Sequence, residues 1–332
     1  MEPAEPTAAQ RLCSFKIPGM PAAPALTTDL ATIHREISDL RATVLTGDWG
    51  ALRALTDSQR PAVRTGMIMY AGLLPQATAL ARSQVEADPA DGLAAALLGN
   101  CLIGRAWEVR TGARAQYVSQ EQFRDFHQIL RGAEQLLIDA AAYQPDDPAI
   151  WDCRLRTARG LELGQAEARR RYDRLAASDP YHLPGQLQYL QQLCPKWGGS
   201  LDEMHTFARE AMLAAPDGAT QGCLVAQAHL EHLLDLEEKQ QADYRKDLRV
   251  REEIHEAAAR SVLHPAFNRE YGWVDAVSRF ALAHSLLGDH AAAAPHFAAV
   301  GNVVSTVWEY FDDPVATFAE FRRKAMTKGG WR

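Results

Sequence analysis

Residues 145–180 read PDDPAIWDCRLRTARGLELGQAEARRRYDRLAASDP, and this stretch decides the fold. It opens on Pro145-Asp146-Asp147-Pro148, runs through two Ala/Leu/Arg-rich segments, and closes on Asp179-Pro180. The next such beat, Pro216-Asp217, follows 36 residues after Pro180, against 35 between Pro145 and Pro180. An earlier one stands at Asp88-Pro89. Proline fits the first turn of a helix and aspartate caps it, so each beat marks where one helix ends and the next begins. A repeat of about 34 residues holding two helices cannot bury its apolar face alone, and stacking on its neighbours supplies the core.

The positions between the beats fit this reading. Trp151 falls at an aromatic position early in a first helix, and Ala168 with Tyr172 at the small and aromatic positions of a second. In the following unit Gly199 stands between two helices, with Phe207 and Ala211 behind it. Gly288, Ala293 and Phe297 repeat the theme later. A small residue lets two helices approach, and the aromatic fills the groove beside it. Upstream, Leu30, Ile33, Ile37, Leu40 and Val44 share one helical face, which Gly47 ends. Further helices are expected at 48–57, 61–73, 75–87 and 92–108. Ser119-Gln-Glu-Gln122 is a capping box before a strongly amphipathic segment, and Ser200 with Glu203 forms another. Period-two runs of β-branched residues are missing, which argues against a β fold.

These features resemble the tetratricopeptide-repeat superfamily over roughly 75–305, with degenerate units. The words Arg105-Ala-Trp107-Glu-Val-Arg110, Phe123-x-x-Phe126, Pro195-Lys-Trp197-Gly-Gly-Ser200 and Trp308-Glu-Tyr310 look like a bacterial, mostly actinobacterial family of repeat-like proteins of unknown function. The resemblance implies an all-α, right-handed α-solenoid of degenerate helix hairpins with a C-terminal capping helix, and implies no activity. A Pro/Ala-rich arm is expected over 1–26 and a single helical-repeat domain over 27–332.

The 332 residues are 47% hydrophobic and 23% charged, an ordinary globular composition. With 42 acidic against 35 basic residues the net charge is −7, which disfavours nucleic acid as a partner. The five cysteines are widely spaced without a C-x-x-C pair, which suits reduced thiols. With no basic-flanked leader and no apolar run of about 18 residues, a cytoplasmic protein with no membrane partner is expected.

Function is sought where regularity breaks. From Pro89 to Pro145 is 56 residues, and the excess holds Arg105, Trp107, Glu108, Arg110, Arg114 and Tyr117 around Gly112. Arginine grips carboxylates and phosphates, and aromatics supply rigid anchors, so this 105–117 loop reads as a recognition surface. The plainer reading is an elongated helix pair whose Arg and Glu bond each other. Trp197-Gly-Gly-Ser200 offers close backbone approach to a ligand, or only a tight turn between helices. His229 and His232 share a helical face with Asp235 and are weak metal candidates; polar groups facing a groove are the ordinary alternative.

From Asp235 to Glu256 the pairs Asp235–Lys239, Asp247–Arg251 and Arg249–Glu253 are spaced to support a long solvated helix. Trp308, Tyr310, Phe311, Phe318 and Phe321 read as a cap over the last repeat. No dinucleotide, phosphate-loop, nucleophile-elbow or zinc-protease motif occurs, so no cofactor and no catalytic residue is assigned. The expected function is a cytoplasmic scaffold that recognises a protein or peptide through its concave face and the 105–117 loop. The alternative is a small-molecule-binding protein or atypical enzyme with a pocket inside the groove, which would bring a closed cavity of several hundred Å³ lined by arginine and aromatics.

Overall fold

The computed structural model describes residues 25–112 and 117–330. Among these the chain is all-α. The helices are α1 (Arg35–Thr46), α2 (Trp49–Asp57), α3 (Pro61–Ala71), α4 (Ala77–Ala87), α5 (Gly92–Arg110), α6 (Gln120–Tyr143), α7 (Pro148–Gly160) and α8 (Gln165–Ser178). They continue as α9 (Leu183–Leu193), α10 (Leu201–Ala214), α11 (Gly222–Asp235), α12 (Glu238–Tyr244), α13 (Leu248–Arg260), α14 (Trp273–Leu286), α15 (His290–Val300) and α16 (Pro314–Lys328). No helix among the described residues is long and apolar enough to cross a membrane.

The Pro/Asp beats work as punctuation at both ends of a turn. Asp88 and Asp179 accept from the amides two residues on (Ala90, 3.0 Å; Tyr181, 3.1 Å), closing the preceding helix. Three residues later Asp91 caps α5 through the Ala94 amide, and His182 caps α9 through the Gly185 amide. Asp147 caps α7 at Ala149 in the same way. Each such cap is worth about 1 kcal/mol. Ser119 and Gln122 form the full capping box of α6. At α10 only half of the expected box is made: Ser200 accepts from the Glu203 amide, while the Glu203 carboxylate takes the Ser200 hydroxyl at 2.7 Å.

Consecutive helices pack as hairpins, most extensively α5 on α6, α7 on α8, α10 on α11 and α14 on α15. Helices one hairpin apart also touch: α5 with α7, α7 with α9, α9 with α11, and α11 with α14. Trp151, Ala168, Tyr172, Ala293 and Phe297 are buried as their spacing predicts. Gly199 is required by crowding, because a Cβ there would lie 2.1 Å from the Leu193 carbonyl oxygen. Between α6, α7 and α8 the core holds charge. Glu134 accepts from Arg154 (3.0 Å), from both terminal nitrogens of Arg171 (2.8 and 2.9 Å) and from the Thr157 hydroxyl.

Helix α3 departs from the hairpin order and packs on α5, α7 and α9. Arg64 Nη1 donates to both oxygens of the Asp147 carboxylate at the start of α7 (2.9 and 3.0 Å). Thr65 meets His182 Nε2 at the start of α9 (2.9 Å), and the Gly66 carbonyl accepts from the Tyr271 hydroxyl just before α14 (3.3 Å). One short helix therefore crosses the N-terminal ends of successive hairpins. The chain ends also meet: Thr27 exchanges backbone hydrogen bonds with Asn302 and Val304. Residues 25 and 26 of the expected arm thus lie beside 302–304, and 1–24 lie outside the described residues.

Two sequence readings need correction. Residues 105–110 are the last turns of α5 and not loop, and the excess length of this region goes into the 19-residue α5 and 24-residue α6. Arg, Ala, Trp and Glu continue a helix readily, and it stops only at Thr111-Gly112. The charged run 235–256 is not one long helix: it contains the end of α11, the short α12 and most of α13. None of the three expected pairs forms, and the partners of two of them bond elsewhere. Arg249 meets Asp247, Glu253 meets His229, and Arg251 donates to the Leu287 carbonyl. Asp247 serves as the cap of α13, which breaks the run.

Candidate functional site

A pocket of about 380 Å³ opens on the face shared by α7, α9, α11 and α14, towards the C-terminal ends of α7 and α9. Arg159, Gln188, Gln191, Gln227 and Arg279 reach it from these four helices, and Glu309 and Tyr310 from the short 3-10 turn Thr306–Tyr310. Leu187, Leu190 and Val307 supply its apolar wall. Helix α3 lies at the N-terminal ends of α7 and α9, and the pocket lies towards their other ends.

The polar side chains are ordered by one another. The Tyr310 hydroxyl donates to Glu231 Oε1 (2.8 Å) and accepts from Gln227 Nε2 (2.8 Å), which also reaches Glu231 (3.1 Å). Lys196 Nζ meets the other oxygen of Glu231 at 2.8 Å. The Gln191 amide bridges this pair, its oxygen towards Lys196 (3.1 Å) and its nitrogen towards Glu231 (3.2 Å). Burial and the Glu231 carboxylate raise the Tyr310 phenol above its usual range, so it stays protonated as a donor.

The two arginines are held differently. Arg159 donates to the Gln188 carbonyl (3.2 Å) and side-chain oxygen (2.8 Å), and its guanidinium lies over the Trp197 ring at 5.9 Å. Burial, with Arg156 nearby, pulls it down to about 10, which still leaves it charged at neutral pH. Among the described residues the Arg279 side chain hydrogen-bonds only through Nε, to Gln227 Oε1 at 2.9 Å. Its Nη1 is buried without a partner. Nη2 is neither enclosed nor bonded to the protein, and it is the charged donor left for a carboxylate. Glu309, raised by burial and by the Asp275 charge, stands at the rim as an acceptor.

Two residues flagged by the sequence adjoin this site. Trp197 packs edge-on against Trp107 (6.0 Å), which packs against Phe126 (4.9 Å). Arg110 lies over Trp107 and Phe123, at 5.4 and 5.7 Å. These aromatics form a wall behind Arg159. The remaining candidates of this region are not drawn in. Arg105 and Glu108 are exposed and meet each other at 3.5 Å, Tyr117 is exposed, and Arg114 lies outside the described residues. Beneath the site, Asp152 on α7 is fully buried with neither carboxylate oxygen hydrogen-bonded. Desolvation pushes it up to about 6, against the pull of Arg156 and Arg159.

His229 and His232 form a separate cluster. His232 Nδ1 meets Nε2 of His205, a residue of α10, at 2.9 Å. His229 is held by Tyr244 (2.6 Å) and Glu253 (3.1 Å). Burial and the neighbouring rings lower His205 to about 3. Every one of these rings has a protein partner. Asp235, the carboxylate expected to join them, ends α11.

The pocket residues other than Tyr310 carried no signal of their own. The available hint was polarity at helix positions that otherwise read as core, such as Gln227 and Glu231 one turn apart in α11. Compared with protein-family models and with curated proteins, the chain matches none.

Proposed function

We propose that this is a helical-repeat binding protein of the cytoplasm whose pocket takes a carboxylate-bearing ligand, a short peptide end or a small free acid. The hairpins read as a degenerate tetratricopeptide-like solenoid, with α5, α7, α9, α11 and α14 on its inner face and α16 as its cap. The contacts between helices one hairpin apart support that arrangement. The buried aromatic cluster of Phe297, Trp308 and Phe318 supports the cap. Four described cysteines are free and buried, in keeping with a reducing compartment.

The observation that carries the ligand reading is Arg279, a pocket-lining guanidinium that makes no ion pair within 4 Å and one side-chain hydrogen bond among the described residues, which leaves its unenclosed Nη2 for a ligand. Arg159 offers a second cation, and Gln188, Gln191 and Gln227 offer amides that both donate and accept, as a peptide main chain does. An extended peptide laid along the whole inner face would meet α3, so the recognised portion is short. Calorimetric titration with free-acid tripeptides, their C-terminally amidated forms and small mono- and dicarboxylates tests this and separates the two ligand sources. Free acids bind and Arg279→Gln weakens them by about tenfold to about a hundredfold, the worth of charge-assisted hydrogen bonds. Amidated peptides that bind as well as free acids would defeat the reading.

A further inference from the structure

On the opposite side of α14, three potential metal ligands converge from three elements. His255 projects from α13, His284 from α14, and Asp289 is the cap of α15. One ligand atom from each lies within 4.8 Å of the others. The Asp289 carboxylate divides its work: Oδ1 takes the Ala292 amide (3.1 Å), and Oδ2 faces His255 Nε2 at 2.9 Å. The second observation is His284. Its side chain is 1% exposed, neither ring nitrogen has a hydrogen-bond partner, and Nδ1 is fully buried. A buried imidazole without partners forfeits the hydrogen bonds it made in water, a cost of about 1–3 kcal/mol. Its ring is held in place by stacking on His296 at 5.4 Å and 8°.

We propose that His255, His284 and Asp289 bind one divalent transition ion of the zinc class. Two imidazole nitrogens and one carboxylate oxygen suit Zn²⁺ or Co²⁺ and are a poor set for Mg²⁺ or Ca²⁺, which require oxygen ligands. His255 is about half exposed, so the fourth position faces solvent and takes water. Arg251 brings a positive charge to the same place, but the Leu287 and Arg245 carbonyls hold its guanidinium. The bound ion would tie α13, α14 and the start of α15 together, and it leaves the carboxylate pocket out of its coordination.

Chelator-treated full-length protein is titrated with Co²⁺, followed by visible absorption, and with Zn²⁺, followed by thermal unfolding. The wild type takes up one equivalent of Co²⁺ with the ligand-field bands of a nitrogen/oxygen site, Zn²⁺ displaces it, and the melting temperature rises. His255→Ala, at an exposed position, folds normally and loses at least about tenfold in affinity. Asp289→Asn keeps the helix cap, since asparagine also caps, and weakens the metal likewise. The proposal is overturned if the wild type binds neither ion. It is equally overturned if His255→Ala binds with unchanged affinity, or if only His205→Ala removes the metal, which would assign it to the other histidine cluster.

Discussion

Replacing Asp152 by asparagine tests whether a charge is buried without support beside the ligand pocket. The carboxyl is fully enclosed, neither oxygen is hydrogen-bonded, and its pKa rises from the ordinary 3.8 to about 6. A tenfold change in proton affinity corresponds to about 1.4 kcal/mol, so ionising Asp152 costs the folded state about 3 kcal/mol relative to the unfolded chain. A raised folded pKa means that the protonated form stabilises the fold. That contribution is complete below about pH 4 and is lost as the pH climbs through about 6. Asparagine has nearly the same shape as aspartate and does not titrate, so whatever its amide costs is the same at every pH. Urea unfolding of wild type and Asp152→Asn at matched pH therefore isolates the one group, since all other titrations cancel. The stability difference should move in favour of the variant by about 1.5 kcal/mol between about pH 5 and about pH 7.5. A difference that stays flat over that range, or that favours the wild type as the pH rises, would refute the argument.

Three further outcomes are expected. Glu134→Ala leaves Arg154 and Arg171 facing each other in the core without their anion and should cost about 3–5 kcal/mol in chemical denaturation; a loss under about 1 kcal/mol would show the network to be dispensable. Gly199→Ala forces a methyl against the Leu193 carbonyl and should destabilise by about 1–3 kcal/mol, whereas an unchanged unfolding midpoint would mean that the turn relaxes freely. His182, lowered from 6.5 to about 4 by burial, contributes stability that is present above about pH 6.5 and is lost as the pH falls through about 4; its imidazole signals in NMR should remain those of the neutral ring at pH 5.5.

Many helices and several of their starts were legible because each is written locally, in a 3.6-residue apolar period and a capping residue at its start. Asp91, Asp147, Ser119 and Ser200 do at their helix ends what their positions in the sequence say. The interruption between residues 89 and 145 was visible as irregular spacing, but spacing alone does not separate a loop from longer helices. Propensity at Arg105–Arg110 was the better guide there. The placement of α3 was not legible, since Gly66 and Tyr271 meet across more than half of the chain and nothing local records it. The pocket was hidden for the same reason. Arg159, Gln188, Gln227, Arg279 and Tyr310 stand on five separate segments, each looking like an ordinary polar residue until stacking brings them together. Trp107 and Trp197 were found from sequence as unusual aromatics, and they prove to be the wall behind Arg159.

The most direct test of the ligand proposal observes the guanidinium groups themselves. In protein labelled with ¹⁵N-arginine, the tightest-binding carboxylate from the titrations is added while the arginine side-chain signals are followed, each assigned by substitution. Arg279 and Arg159 should shift together and saturate at one equivalent, with Arg105 and Arg110 unmoved. Shifts confined to Arg105 and Arg110, with Arg279 and Arg159 silent, would contradict it.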